Sequence, residues 1–243
     1  MKTVVTLAAM ALALTACDRS DPPVKKLERA AEDAVVAVEG ETLPQRAEGP
    51  YAPRNECLDE PGASEFLASL RKAVQARDTE LLAPLVAEDI RLDFGGGAGR
   101  ATLAERLAED EGALWEQLDE VIALGCASDG ATLTMPWYFA QDLQTEADGS
   151  ELYLVAGDQV PVLDAPGEDA DPLGTISWDL VEYVSVPMAE HSGYRGIIFQ
   201  DETSGEEVTG FVRVADLRSY IGYRLLASRR NNRWRITSFV AGD

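Results

Sequence analysis

Hydrophobic residues between Leu154 and Leu217 recur with the two-residue period of strands that bury one face. Turn residues such as Asp164-Ala165-Pro166-Gly167 separate the apolar runs. A longer run places Ile176, Trp178, Leu180, Val184 and Val186 at even spacing. The other predicted strands are Leu152–Val155, Val160–Leu163, Tyr194–Phe199 and Val208–Val214. The pattern predicts a small barrel or sandwich of about five strands.

Before this region, most of the apolar spacing is that of amphipathic helices. Ser64 is predicted to cap a helix that buries Phe66, Leu67, Leu70 and Val74. The next predicted elements are a helix over Thr79–Ala87, a strand over Ile90–Phe94, helices opening at Thr102 and near Leu114, and a strand over Leu133–Phe139 that Pro136 places at a sheet edge. Near the C-terminus, Asn231-Asn232 separates the two strands of a hairpin.

These elements predict an α+β protein with three parts. They are a helix-rich α+β domain over residues 56–145, a β domain over residues 150–219, and a C-terminal β-hairpin over residues 220–243. Before them, residues 18–55 are polar and proline-rich, which is typical of a flexible tether.

The N-terminus has the pattern of an export signal. Lys2 precedes the apolar stretch Val4–Leu14, which is shorter than the roughly 20 residues that a membrane-spanning helix needs. Leu14-Thr15-Ala16-Cys17 resembles the lipobox of bacterial lipoproteins. The resemblance implies that residues 1–17 form a lipoprotein signal and that Cys17 carries the lipid anchor, on the periplasmic side of an inner or outer membrane. An ordinary secretory signal with an accidental cysteine is the alternative.

Apart from Cys17, the chain contains Cys57 and Cys126. Because an exported chain meets an oxidising compartment, these two cysteines are predicted to form a disulfide. Two buried thiols are the alternative. A catalytic cysteine is disfavoured, because the only histidine, His191, is far away in sequence and no protease signature is present.

The formal net charge of −22 argues against nucleic acid as a partner, and against adhesion to anionic lipid. The charge is uneven, since Arg195 is the one basic residue among sixteen acidic residues between Asp142 and Glu207. Seven arginines follow Phe211. We expect this tail to pack beside the acidic module, and a docking patch for a charged partner is the alternative.

The β domain resembles bacterial SH3-like domains. The resemblance rests on Val160 and Val162, Ala165-Pro166-Gly167, Leu173-Gly174-Thr175-Ile176, and Gly210-Phe211-Val212 running to Leu217. It implies a module that binds cell-wall polymer or protein. The aromatic residues considered for ligand binding are Trp178, Tyr183, Tyr194 and Phe211. A generic β module with no ligand of its own is the alternative.

The flanking segments resemble NTF2-like proteins, which have a cone-shaped α+β fold. The resemblance rests on the phrase from Val74 to Glu80 and on the closing hairpin that contains Arg233-Trp234-Arg235-Ile236. It implies that the β domain is inserted before the last hairpin of one body. It also opens a second reading, in which a cone-shaped pocket binds a small molecule or catalyses a reaction with Asp93 or Glu182.

Other candidate chemistry is weak. Gly95-Gly96-Gly97 lacks the spacing and the lysine of a phosphate loop, and His191 alone cannot build a zinc site. Asp164, Glu168, Asp169 and Asp171 do not follow the order of a calcium loop. Trp137-Tyr138-Phe139 is either core packing or a pocket wall. No cofactor or metal is predicted. The main hypothesis is a non-enzymatic lipoprotein that binds peptidoglycan or an envelope protein, and a structural spacer is a third possibility.

Overall fold

The computed structural model describes residues 47–109, 111–143, 145, 147–189, 192–200 and 204–242. Ala47–Asp243 forms one compact unit. The predicted lipidation site Cys17, most of the predicted tether and His191 lie outside the described residues. In the part of the chain that is described, no helix is long and apolar enough to cross a membrane.

The described residues form four α-helices and thirteen strands. The helices are α1 (Ala63–Gln75), α2 (Thr79–Leu82), α3 (Arg100–Glu109) and α4 (Ala113–Ala123). The strands are β1 (Arg54–Asn55), β2 (Val86–Arg91), β3 (Gly125–Ser128), β4 (Thr132–Met135), β5 (Leu152–Val155), β6 (Val160–Leu163), β7 (Pro172–Ile176), β8 (Leu180–Val184), β9 (Tyr194–Gln200), β10 (Glu207–Arg213), β11 (Leu217–Ser219), β12 (Arg224–Arg230) and β13 (Arg233–Val240). The chain is therefore α+β, as the sequence predicts.

The first sheet has the strand order β1-β3-β4-β12-β13-β2 and combines strands from both ends of the described chain. The C-terminal hairpin lies inside this sheet, because β12 pairs with β4 and β13 pairs with β2. Helices α1 and α4 pack on one face through Leu67, Leu70 and Leu118, which are at most 1% exposed. We call this sheet with its helices the body.

The second sheet has the strand order β11-β5-β8-β9-β10-β6-β7, and all of its pairings are antiparallel. Its core contains Val155, Val162, Ile197 and Val212, which are fully buried. Among the described residues the sheet does not close, since β11 and β7 remain at its edges. It thus has seven strands where the sequence predicts about five, and no closed barrel is formed. We call this sheet the β module.

A third cluster of apolar residues joins the two sheets. Its buried members are Leu124, Ala127, Trp137, Tyr138 and Leu154, and Trp178, Leu180 and Tyr220 pack against them. The Trp137-Tyr138-Phe139 run therefore belongs to core packing in this joint cluster. Beside it, Arg218 of β11 forms an ion pair with Glu120 of α4, with 2.9 Å between Nε and Oε1.

The predicted disulfide is confirmed, because Cys57 and Cys126 are bonded and both are buried. It ties the short 3-10 helix Glu56–Asp59 to β3. Two of the C-terminal arginines pair with the body. Arg218 and Arg229 lie against Glu120 and Glu60 of the body, outside the acidic stretch.

Several local predictions are wrong. Thr102, predicted to open a helix, lies inside α3, which begins at Arg100, and the strand predicted over Ile90–Phe94 ends at Arg91. Ser64 lies inside α1, whose N-cap is Gly62, and β2 begins at Val86, where the sequence predicts a helix to Ala87. The predicted edge strand Leu133–Phe139 ends at Met135, and β4 is an inner strand between β3 and β12. The even spacing from Ile176 to Val186 does not make one strand, because Trp178 adopts a positive φ of 45° between β7 and β8.

Candidate functional site

A cleft of about 300 Å³ opens at one end of the β module. Tyr183 comes from the end of β8, and Tyr194 and Arg195 come from the start of β9. The remaining lining residues are small or apolar, namely Val186, Ala189, Gly193, Gly196 and Val214. We call these eight residues the tyrosine cleft.

Two glycines shape the backbone of the tyrosine cleft. Gly193 has a φ of +81° in the turn before β9, and its carbonyl accepts a hydrogen bond of 2.9 Å from the Val214 N–H. A Cβ on Gly196 would lie 2.8 Å from the Val184 carbonyl oxygen. Only glycine lets β9 approach β8 this closely, so the cleft depends on it.

Arg195 lies over two tyrosine rings. Its guanidinium carbon is 5.3 Å from the ring centroid of Tyr183 and 5.5 Å from that of Tyr153. The two ring centroids are 6.0 Å apart. Such cation–π contacts position a guanidinium without using its N–H donors. Arg195 makes no hydrogen bond or ion pair with the described residues.

The pairing of strands explains how these three side chains meet. Tyr153 pairs with Val181, two residues before Tyr183 on β8, and Tyr183 pairs with Ile197, two residues after Arg195 on β9. In antiparallel strands, such diagonal neighbours share one face of the sheet. That face also carries the buried Val181 and Ile197, so the stack continues the module's core to its open end.

Two exposed apolar side chains lie beside the tyrosine cleft. Val214 is 42% exposed, and Met188, next to the lining residue Ala189, is 66% exposed. Exposed apolar side chains beside a concave opening are typical of binding surfaces. Among the described residues that line the cleft there is no carboxylate, histidine or cysteine. The arrangement therefore suits binding.

The structure brings together two of the four aromatic residues that the sequence proposes for ligand binding. Tyr183 and Tyr194 line the cleft. Trp178 packs in the joint cluster, and Phe211 is only 5% exposed in the β module. Sequence reasoning did not include Arg195, although its position as the lone basic residue of an acidic stretch was a usable signal.

The carboxylates proposed for a cone-shaped pocket lie apart. Asp93 follows β2, where its carboxylate accepts hydrogen bonds from Arg106 at 2.6 Å and from the Gly97 N–H at 2.7 Å. These bonds hold the pKa of Asp93 below its ordinary value. Glu182 lies exposed on β8 of the other sheet.

The space between the helices and the first sheet is occupied by large side chains. They include Trp115, Met135, Trp234 and Phe239, none more than 5% exposed. Asp93 follows a strand of the first sheet and Glu182 lies on a strand of the second, so the structure does not bring the two carboxylates together.

In the glycine loop (residues 95–97) and in the acidic loop (residues 164–171), carboxylates accept hydrogen bonds from the loop backbone. The Asp93 carboxylate accepts a hydrogen bond from the Gly97 N–H of the glycine loop. In the acidic loop, Asp164 accepts a hydrogen bond from the Asp171 N–H. Within the described ranges, no group of three metal-binding side chains converges.

No protein-family model and no curated protein sequence matches the chain significantly. Solved structures that align with it include an NTF2-like protein with a cystatin-like fold from Novosphingobium aromaticivorans, with 12% identity, 92% of this chain and 90% of that chain covered, and a TM-score of 0.26. A protein provisionally called a ketosteroid isomerase from Shewanella frigidimarina has 9% identity, with 74% and 94% covered, and a TM-score of 0.27. A protein of unknown function with a cystatin-like fold from Nostoc punctiforme has 9% identity, with 77% and 92% covered, and a TM-score of 0.27. The assignment as an α+β protein stands on the described helices and sheets.

Proposed function

We propose that the protein is a non-enzymatic, lipid-anchored protein of the cell envelope, and that its tyrosine cleft binds peptidoglycan. The cleft carries the proposal, because it combines two tyrosines and one guanidinium in a single opening, beside exposed apolar side chains. Aromatic rings can stack on the apolar faces of sugars, and a few polar groups then fix the orientation of the ligand.

The location of the ligand follows from the predicted anchor. A lipid on Cys17 would hold the chain at a membrane that faces the wall, and the polar residues before Ala47 would give it reach. The formal net charge of −22 disfavours nucleic acid and other polyanions. A protein partner in the envelope is the alternative occupant of the cleft.

The test is a pulldown of the full-length chain, kept soluble in mild detergent, with purified sacculi at low and moderate salt. We expect the wild-type chain to sediment with the sacculi and the double variant Tyr183→Ala/Tyr194→Ala to remain in the supernatant. Phe94→Ala is the matched control, because Phe94 is an aromatic residue of the body that is 45% exposed. Its circular dichroism and its retention should equal those of the wild type.

Two results would contradict the proposal in different ways. If the wild-type chain fails to sediment at either salt concentration, peptidoglycan is not the ligand. If the double variant is retained as well as the wild type, the chain binds sacculi through another surface.

A small-molecule binder is the second candidate, favoured by a cleft of about 320 Å³ in the body. This cleft lies between the end of α3 and the start of β12 and is lined by Arg106, Glu109, Leu114 and Tyr223. A thermal-shift screen with a metabolite library tests it. The candidate requires a compound that raises the melting temperature of the wild type and loses this effect in Tyr223→Ala.

A further inference from the structure

The Arg195 guanidinium is a cation that two tyrosine rings hold in place at the tyrosine cleft. Tyr153 and Tyr183 fix its position through their ring faces, at 5.5 and 5.3 Å. It lines the tyrosine cleft, and its N–H donors have no acceptor among the described residues. Arg213 of the same module differs in this respect, since it already pairs with Asp216 at 2.7 Å.

A guanidinium offers five N–H donors in a planar fork that matches the two oxygens of a carboxylate. Hydrogen bonds of this charged kind are roughly twice as strong as those between neutral groups. The Arg195 side chain also loses less conformational entropy when a ligand binds, because the tyrosine rings already restrict its motion. The chemistry of the cleft therefore favours an anionic group of the ligand at this position.

We propose that Arg195 is the specificity-determining residue of the tyrosine cleft and binds one carboxylate of the ligand. This inference rests on the proposed function and assigns the peptide part of peptidoglycan, which carries free carboxylates, to the cleft. The sixteen acidic residues between Asp142 and Glu207 repel a polyanion. The ligand is therefore expected to present one carboxylate to the cleft, beside neutral or cationic groups.

The experiment uses soluble muropeptides released from sacculi, in their free-acid form and after methyl esterification of their carboxylates. Binding to the full-length chain in detergent is measured by titration calorimetry. We expect esterification to weaken binding to the wild type by about tenfold, the lower end of what a hydrogen bond to a charged group contributes. This arm needs no variant and so does not depend on the folding of one.

Arg195→Gln should bind the free acids as weakly as the wild type binds the esters, and it should not distinguish the two forms. Arg195→Lys keeps the charge without the fork and should recover part of the preference. Arg213→Gln is the matched control, because it also removes one arginine from the β module but one that is already paired. It should retain the preference for the free acid.

The outcomes separate this inference from the proposed function. If the wild type binds acids and esters equally, or if Arg195→Gln keeps the preference, the carboxylate assignment is wrong while peptidoglycan binding stands. If neither muropeptide form binds to the wild type, both the assignment and the proposed peptidoglycan ligand fail.

Discussion

Arg218 connects the β module to the body, and replacing it tests whether the two parts fold as one unit. Its side chain is 6% exposed on β11. Nε lies 2.9 Å from Oε1 of Glu120 on α4, as an ion pair without a well-aligned hydrogen bond. Nη2 donates a hydrogen bond of 2.6 Å to the carbonyl oxygen of Tyr223. Arg218→Met keeps an unbranched side chain and removes both interactions.

The expected cost has two parts. The ion pair contributes about 1 kcal/mol, because the Glu120 side chain is 39% exposed and solvent screens the pair. The Tyr223 carbonyl loses its donor from Arg218, which costs roughly 2 kcal/mol. Arg218→Met should therefore lower the free energy of unfolding by about 3 kcal/mol, and Glu120→Gln by about 1 kcal/mol.

Urea unfolding followed by tryptophan fluorescence and by far-UV circular dichroism measures these costs. Trp115 and Trp234 lie in the core of the body and Trp137 lies in the joint cluster, so the two probes report on overlapping but different regions. We expect one coincident transition for the wild type and for both variants. An Arg218→Met variant within about 0.5 kcal/mol of the wild type would refute the reasoning, as would separate transitions in the wild type.

Three further predictions concern the disulfide, the buried Tyr138 and the half-buried Asp179. Replacing Cys57 and Cys126 by Ala should lower the free energy of unfolding by about 4 kcal/mol, since the disulfide closes a loop with a sequence separation of 69. Thermal unfolding measures this loss, and an unchanged melting temperature would contradict the prediction. Burial raises the pKa of Tyr138 to about 12. The neutral hydroxyl should therefore contribute about 3 kcal/mol to the free energy of unfolding below pH ~10, and this contribution should be lost as the pH rises towards 12. Tyr138→Phe should remove this dependence in alkaline urea titrations. Burial also raises the pKa of Asp179, so its charged form is unfavourable in the folded protein at pH 7. Asp179→Asn keeps the acceptor for the Leu180 N–H and should raise the free energy of unfolding at pH 7, and this gain should vanish below pH ~4. An equal gain at both pH values would exclude this cause.

Local patterns predicted the elements whose signals are complete within a few residues. Leu114, Leu118 and Val121 share one face of a helix, and α4 is found there. The turn at Asn231-Asn232 joins β12 and β13 with φ values of 52° and 60°, a conformation that asparagine tolerates. These elements need no knowledge of their tertiary neighbours.

Predictions failed where burial continues after the regular element has ended. Trp137 and Tyr138 are apolar and buried, as residues of an inner strand are, but they form a 3-10 helix in the joint between the two sheets. Trp178 keeps the even spacing of the strand residues around it, yet its positive φ turns the chain between β7 and β8. An apolar pattern predicts that a side chain is buried, but it does not predict which other residues cover that side chain.

The candidate site depends on the register in which the strands pair, and a short stretch of sequence does not determine that register. Tyr153, Tyr183 and Arg195 come from three strands, and they meet only because Val181 pairs with Tyr153 and Ile197 pairs with Tyr183. A shift of one residue in either pairing would turn Arg195 or Tyr153 to the opposite face of the sheet. Tyr183 and Tyr194 could therefore be proposed from their residue type, whereas the position of the Arg195 guanidinium over the rings of Tyr153 and Tyr183 comes from the structure.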